Sequence, residues 1–313
     1  MLGAIVYMRI LIVSSKESVF SHGSGEVESF LLRTGMQLLG IECDFVGLES
    51  RNFGDYDVYL FFSMREDVLE YINYVEKNKY CILFPQIDNP NGATIQNIRE
   101  LGESRECFLV HSRDDIEDVS YSTAVGDKRL LKERGWFLKP FMHSDQGTDY
   151  THDIVKQSDG YILLFAAYGR DDGLSDIIPL AEKANKSIIV VTDQIDRHSK
   201  QYEKYGNVNF LNRLQYGSPE WFYLIKNVDF LYEANPRLTC SVLEALWMGK
   251  TVMSCHAKKI NHILGKDIVQ SIKQEIFFGD IEGCIFDVRY IARYDVIHVA
   301  HTILDRVANE YIA

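Results

Sequence analysis

A short segment in the last third of the chain combines residue types that could bind a diphosphate. An apolar run ends at Tyr232, a polar stretch follows, and a helical pattern begins near Thr239. Thr239 or Ser241 could cap that helix, and Arg237 stands just before its positive end. Free backbone N–H groups, a helix dipole and a guanidinium together favour an anion such as a diphosphate.

Glu244 follows on the first turns of the same predicted helix. Its carboxylate could accept hydrogen bonds from a pair of sugar hydroxyls. The alternative is a solvated helix carboxylate, which is the more frequent environment of a glutamate. The residues alone leave both interpretations open.

A second candidate lies near the amino end, at residues 22–26, which read His-Gly-Ser-Gly-Glu. It follows the first strand-like run and opens a helical pattern over residues 27–39. Glycines let the backbone approach a ligand, and a helix N-terminus offers N–H groups. The dinucleotide fingerprint is incomplete, because Glu28 stands where G-x-G-x-x-G requires its third glycine. A flexible turn that caps the helix is the alternative.

These segments lie within a regular alternation of short apolar runs and amphipathic stretches. Ten apolar runs are predicted as strands: residues 9–14, 43–48, 58–62, 80–84, 108–111, 161–166, 187–192, 208–211, 229–232 and 251–254. Continuous apolar strands separated by amphipathic helices are typical of parallel sheets covered on both faces. We therefore predict an α/β fold.

The alternation is interrupted over residues 139–157, a polar stretch without a sustained period. The chain of 313 residues is long enough for two ordinary domains. We predict two Rossmann-like domains, residues 1–145 and 156–293, that face a central cleft, where ligands of such sheets normally bind. The last helical pattern covers residues 294–313.

The composition restricts the class of protein. The 33 basic and 45 acidic residues give a net charge of −12, which argues against general nucleic-acid binding. The six cysteines are not arranged as C-x-x-C, and most lie in apolar runs, which is typical of reduced thiols in a cytoplasmic protein.

Two further features receive weaker interpretations. His298 and His301 are spaced for one helix face, but too few other ligands lie nearby to predict a metal site. Trp136 and Phe137, next to basic residues, could line an acceptor or peripheral membrane patch, with a core role as the alternative.

The run Leu243–Val252 resembles the LEAMAxGxPV signature of the retaining GT-B glycosyltransferases of family 4. Four other segments fall in the family's order and are similar to its GGxE loop, its first-domain exit strand, its VGR segment and its VxFLG strand: residues 23–27, 108–113, 165–170 and 208–213. The resemblance spans nearly the whole chain.

The resemblance implies a GT-B fold whose last helix, residues 294–313, packs back on the first domain. It implies hexosyl transfer from a nucleotide-diphosphate sugar to a hydroxyl acceptor, with retention and without a metal or cofactor. By resemblance, Glu244 binds the ribose, Arg170 neutralises the departing diphosphate, and the backbone amides of Leu238 and Thr239 meet the donor. The acceptor-side loop comprises Gly23, Ser24, Gly25 and Glu26, of which Gly25 also faces the donor.

The sequence departs from the family's pattern at two charged positions. Pro236 replaces the first glutamate of E-x7-E, and Glu233 is the candidate to substitute for it. The lysine expected after Arg170 is absent, and Arg237 is the hypothesised second cation. Two alternatives therefore stay open: a non-catalytic GT-B-like protein that binds a nucleotide sugar or a partner, and a glycosyltransferase that modifies nucleic acid.

Overall fold

The computed structural model describes residues 8–14, 24–47, 50, 53–63, 72, 74–76, 79–85, 107–110, 130–131, 149–157, 160–166, 173–234, 238–271 and 295–311. The chain divides into two compact units. The first comprises Met1–Leu138 with Ala292–Ala313, and the second comprises Lys139–Ile291.

The first unit is built on a parallel sheet in the order β2-β1-β3-β4-β5-β6. Its strands are β1 (Arg9–Ser14), β2 (Glu42–Gly47), β3 (Val58–Ser63), β4 (Tyr80–Pro85), β5 (Cys107–Val110) and β6 (Leu130–Leu131). The residues of β1 from Ile10 to Ser14 are buried, as expected for a strand covered on both faces. This strand order is the flavodoxin-like one, in which the connections reverse direction between β1 and β3.

Two helices pack together in this unit, α1 (Ser24–Leu38) and the last helix of the chain, α8 (Val296–Tyr311). Their close approach requires Gly35, because a Cβ at that position would lie 2.8 Å from the carbonyl oxygen of Val296. The last helix therefore returns to the first unit, as the predicted fold requires.

The second unit is built on a parallel sheet in the order β12-β11-β10-β7-β8-β9. Its strands are β7 (Tyr161–Ala166), β8 (Ser187–Thr192), β9 (Val208–Asn212), β10 (Phe230–Glu233), β11 (Thr251–Ser254) and β12 (Gln270–Ser271). Its helices are α2 (Asp149–Gln157), α3 (Leu174–Lys183), α4 (Ile195–Tyr202), α5 (Pro219–Asn227), α6 (Cys240–Trp247) and α7 (Ala257–Leu264).

The order of the second sheet corresponds to the 3-2-1-4-5-6 order of Rossmann folds. Strands β7 and β10 are neighbours although they are far apart in sequence, so the connections change direction between them. Ligands of such sheets bind in the crevice outside the carboxyl ends of the strands at this switch point. In this unit those ends are Ala166 and Glu233.

The described strands confirm the ten predicted runs to within one residue at either end. The polar stretch over residues 139–157, in which the sequence shows no sustained period, contains α2 at Asp149–Gln157. Of the α2 side chains that the structure describes, residues 150–157, only Thr151 and Ile154 are buried, so the apolar stripe is too narrow to produce a clear period. Strands β6 and β12 were not predicted, since two residues are too few for a pattern.

The described part of the chain contains neither a candidate membrane span nor a candidate metal cluster. Among these residues, no helix is both long and apolar enough to cross a membrane. Within the same part of the chain, no group of three or more His, Cys, Asp or Glu side chains could hold a metal ion.

Candidate functional site

The N-terminus of α6 lies just beyond the carboxyl end of β10 and is capped by Thr239. The Thr239 hydroxyl oxygen accepts a hydrogen bond from the backbone N–H of Val242 at 3.3 Å. Thr239 has an extended backbone (φ −91°, ψ 161°), which is the usual conformation of a capping residue. The structure confirms the predicted cap and buries the neighbouring Leu238.

Glu233, the last residue of β10, is 6% exposed and is tied to this cap. Its Oε2 accepts a hydrogen bond from the Thr239 hydroxyl at 2.6 Å. The Thr239 oxygen also lies 3.0 Å from the Ser241 hydroxyl. Because the single Thr239 proton goes to Glu233, Ser241 must donate in that contact. Glu233 and Thr239, both predicted to bind the donor, are therefore in direct contact.

Glu244 lies on α6 with a side chain that is 0% exposed. Its Oε1 accepts a hydrogen bond from the Tyr216 hydroxyl, and its Oε2 accepts one from Trp221 Nε1 at 2.7 Å. The interpretation of Glu244 as a solvated carboxylate is therefore wrong. Helical position alone did not reveal this burial, because the covering residues come from a different part of the sequence.

Burial raises the pKa of Glu244 to about 8, although the hydrogen bonds from Tyr216 and Trp221 lower it. Desolvation disfavours the charged form of a carboxyl group, and here it outweighs two favourable donors. Burial therefore favours the protonated acid relative to an exposed glutamate. A strongly raised carboxyl pKa is typical of functional sites.

Aromatic rings surround this carboxyl group. Trp221 stacks on Phe165 of β7, with ring centroids 4.1 Å apart and an interplanar angle of 20°. Tyr216 lies against Trp221 at 5.0 Å. Trp221 is positioned by the start of α5, where the Ser218 hydroxyl accepts its backbone N–H at 3.2 Å.

Sequence reasoning did not identify Tyr216 or Trp221. The sequence Gly217-Ser218-Pro219 contains a recognisable turn, cap and first helical residue. That local signal predicts where α5 begins, but it does not indicate that the flanking aromatic side chains meet Glu244, 23 to 28 residues later.

A charged pair lies at the carboxyl ends of the strands of the second sheet. Arg213 directly follows β9, and its Nη1 lies 3.3 Å from Oδ2 of Asp193, which directly follows β8. Burial lowers the pKa of Arg213 to about 10. Both side chains are partly buried, so the pair orders the connections that follow these strands.

The start of α3 makes a close approach to the end of β10. Gly173 caps this helix with φ +78°, a left-handed conformation that favours glycine. A Cβ at Gly173 would lie 2.7 Å from the buried Tyr232 hydroxyl and 3.0 Å from the Cβ of Ala234. Glycine is therefore required here for two independent reasons, backbone conformation and space.

Several predicted residues lie outside the described part of the chain. They are the two arginines, one glycine of the amino-terminal motif and the aromatic pair: Arg170, Arg237, Gly23, Trp136 and Phe137. Their predicted roles stay predictions.

The rest of the amino-terminal motif is helical rather than a loop. Helix α1 begins at Ser24, so Ser24, Gly25 and Glu26 form its first turn. The prediction that this helix starts at residue 27 is wrong by three residues. The first-turn amides need no partner within the helix, so polar residues and glycine are tolerated there. The predicted contacts of these residues with acceptor and donor stay predictions.

Neither a family model nor a curated protein matches the chain. It is similar in structure to Anabaena Alr3699/HepE in complex with UDP, with 11% identity, a TM-score of 0.64, and coverage of 96% of this chain and 100% of that one. AviGT4, a glycosyltransferase involved in avilamycin A biosynthesis, has 10% identity and a TM-score of 0.63 over 97% and 98% of the two chains. A glycosyltransferase from Rickettsia africae has 11% identity and a TM-score of 0.62 over the same shares. The similarity establishes the fold, an α/β GT-B architecture with two parallel-sheet domains.

Proposed function

We propose that this chain transfers a sugar from a nucleotide-diphosphate sugar to a hydroxyl acceptor. The observation that carries the proposal is the pair of buried carboxyl groups, Glu233 and Glu244, beside the N-terminus of α6 in a sheet of Rossmann order. Carboxyl groups of this kind can accept hydrogen bonds from the hydroxyls of a sugar and of a ribose. The GT-B fold supports the same class of reaction by analogy.

The donor diphosphate is proposed to bind at the N-terminus of α6, where Leu238 and Thr239 supply backbone amides. Glu233 is already bonded to Thr239, so it lies within reach of a sugar at that position. Its negative charge opposes a diphosphate, and the proposal therefore depends on cations. Arg170 and Arg237 are assigned that role, because a leaving diphosphate gains charge that fixed cations stabilise.

The finer features of the reaction belong to the same proposal. The transfer is of the hexosyl type, retains the configuration of the sugar and proceeds without a metal or cofactor. Gly23, Ser24, Gly25 and Glu26 are assigned to the acceptor side. A cytoplasmic location is proposed as well, and the free thiols of Cys43, Cys81, Cys240 and Cys255 are in keeping with it.

One observation favours a second candidate, a GT-B-like protein that binds a nucleotide sugar or a partner without catalysis. Glu244 is fully buried and both of its oxygens already accept hydrogen bonds. A group in that state does not contact a ribose without a rearrangement. Binding of a partner does not require an accessible Glu244, whereas a non-catalytic binder of a nucleotide sugar differs from the first candidate only in turnover.

The test is a thermal-shift panel of uridine, guanosine, adenosine and cytidine diphosphates and their common sugars. A ligand at a hundredfold excess over its Kd stabilises the folded chain by about 2.7 kcal/mol. We expect a shift with one nucleotide family, followed by measurable hydrolysis or transfer of that sugar.

Arginine variants then separate the two candidates. Arg237→Ala is expected to abolish turnover, whereas Arg197→Ala, on α4 of the same unit, is the matched control and should retain it. A nucleotide shift without turnover for any acceptor would support the second candidate. Turnover that survives Arg237→Ala would contradict the role assigned to Arg237.

A further inference from the structure

Both hydrogen bonds on the Glu244 carboxyl come from outside its own helix. Tyr216 lies in the connection between β9 and α5, and Trp221 lies in the first turn of α5. Each donor is electrically neutral, and each is bonded to a different carboxyl oxygen. Two neutral donors on the two oxygens of one carboxyl group reproduce the contact that a vicinal diol would make.

The indole of Trp221 also makes an aromatic stacking contact. It stacks nearly parallel on the ring of Phe165, with centroids 4.1 Å apart, while its N–H is bonded to Glu244. A planar ring on Phe165 and two donors on Glu244 are, together, the recognition elements of a nucleoside. Nucleobases also stack nearly parallel on aromatic side chains.

We propose that Tyr216 and Trp221 form an internal cap that a nucleoside displaces, with its base replacing the indole on Phe165 and its ribose hydroxyls replacing both donors on Glu244. This inference rests on the proposed function, because it assumes that Glu244 binds the ribose of the donor. It adds a stacking residue, Phe165, and a coupling between ligand binding and movement of the Tyr216 and Trp221 side chains.

The cap must open for the ligand to bind, because the Glu244 side chain is 0% exposed beneath it. The local backbone provides a hinge. Residues 213–218, all within the described part of the chain, form neither helix nor strand. Gly217 has φ +72°, and no described atom lies within 4 Å of the position that its Cβ would occupy. Apart from its own chain neighbours, Gly217 therefore does not pack against the rest of the unit, and its left-handed conformation places a pivot directly next to Tyr216.

The connection is anchored at both of its ends as well as at Tyr216. Arg213 pairs with Asp193 at 3.3 Å, and Ser218 caps α5. Tyr216, between these anchors, forms a hydrogen bond with Glu244. Loosening that bond should favour the open state, and a ligand that binds only the open state then binds more tightly.

The decisive variant is Tyr216→Phe, which keeps the ring and removes the hydroxyl. Isothermal titration with uridine, guanosine, adenosine and cytidine diphosphates measures the Kd of wild type and variant. We expect the Kd of the bound nucleotide to fall by about fivefold, the equivalent of one ordinary hydrogen bond. Tyr205→Phe is the matched control, because Tyr205 packs at the end of α4 against Tyr202 and Lys204. Its Kd should equal that of wild type.

A second variant and a second measurement test the proposal even if Tyr216→Phe does not fold. Trp221→Phe removes the other donor and should also lower the Kd. In the wild-type protein, iodide quenching of the Trp221 fluorescence, obtained by difference from Trp221→Phe, should increase when nucleotide binds. This readout does not depend on the folding of Tyr216→Phe.

The outcomes separate the cap from the proposed function. An unchanged or higher Kd in Tyr216→Phe and Trp221→Phe, with binding retained, would overturn the cap and leave the proposed function intact. Quenching that decreases or stays constant on binding would also overturn the cap. If none of the four nucleotides binds the wild type or either loosened variant, both proposals fail.

Discussion

Polar groups gather at two edges of the molecule, and the two clusters differ in burial. At the amino edge of the first sheet, Arg9 pairs with Glu42 at 3.1 Å and Lys79 pairs with Asp55 at 2.5 Å. The Glu42 and Asp55 side chains are exposed. At the carboxyl edge of the second sheet, Glu244 is fully buried and its hydrogen-bond donors are neutral.

The difference separates structural polar groups from candidate functional ones. Exposed ion pairs lie in water of high dielectric constant, and each contributes little to stability. A buried carboxyl group loses its hydration and requires donors of good geometry. Substitutions at the first edge should therefore have little effect on stability. Burial of Glu244 at the second edge lowers the stability of the fold, and a binding or catalytic role would explain why such a group is kept there. Four predictions test this comparison.

The largest effect is expected for Trp221→Ala. This change removes the stack on Phe165 and leaves Oε2 of the buried Glu244 without its donor. We expect the free energy of unfolding to fall by about 2–4 kcal/mol, less than for a fully buried aromatic side chain because Trp221 is only partly buried. Urea denaturation followed by circular dichroism measures it. Trp221→Phe keeps a ring on Phe165 and should lose clearly less, and equal losses would show that the stack contributes nothing.

The next effect is a pH dependence that Glu244→Gln removes. The folded chain keeps the Glu244 proton up to a pKa of about 8, whereas the unfolded chain loses it near the ordinary value of 4.5. The stability contributed by the protonated acid is complete below pH 4.5 and is lost as the pH rises to about 8. The slope attributable to this group is at most about 1.4 kcal/mol per pH unit.

Unfolding free energies measured from pH 5 to pH 8 for wild type and Glu244→Gln isolate this contribution. Other titrating groups are common to both proteins and cancel in the difference. Wild type should lose stability relative to the glutamine variant as the pH rises. Parallel curves would mean that Glu244 titrates at its ordinary pKa and that its burial is incomplete in solution.

A smaller effect is expected for Thr239→Val. Valine has a similar shape but neither caps α6 nor donates to Glu233. We expect a loss of about 1–2 kcal/mol, as measured for other helix caps. Thr239→Ser, which restores the hydroxyl, should recover most of the loss, and a failure to recover would assign the effect to packing.

The smallest effect is expected at the exposed edge. The Lys79 ammonium lowers the pKa of Asp55, but the Asp55 side chain is 86% exposed. Asp55→Asn should leave the urea midpoint within experimental scatter at both low and high salt. A loss as large as that of Thr239→Val would remove the distinction between the two edges.

Most of the fold could be predicted from the sequence, because it depends on local patterns. Apolar runs predicted the longer strands, and the cap was predicted to be Thr239 or Ser241 because a β-hydroxyl satisfies the first helical amides; the structure selects Thr239. The two-residue strands and α2 were missed because they carry too few buried residues for a period. The resemblance over residues 243–252 added the GT-B architecture, which the similar structures support.

The candidate site also has a part that local sequence patterns predict and a part that they do not. The sequence by itself determined that a strand, a polar turn and a capped helix place Glu233, Thr239 and Glu244 in one segment, since these residues are close along the chain. Only the tertiary structure decided that Glu244 is buried beneath Tyr216 and Trp221 and that Trp221 stacks on Phe165. Those contacts join strand β7, the segment after β9 and the helix after β10, and the strand order β10-β7-β8-β9 differs from the order of the chain. Burial and pKa depend on what surrounds a group in space, so they follow from the folded arrangement of distant segments and not from local sequence.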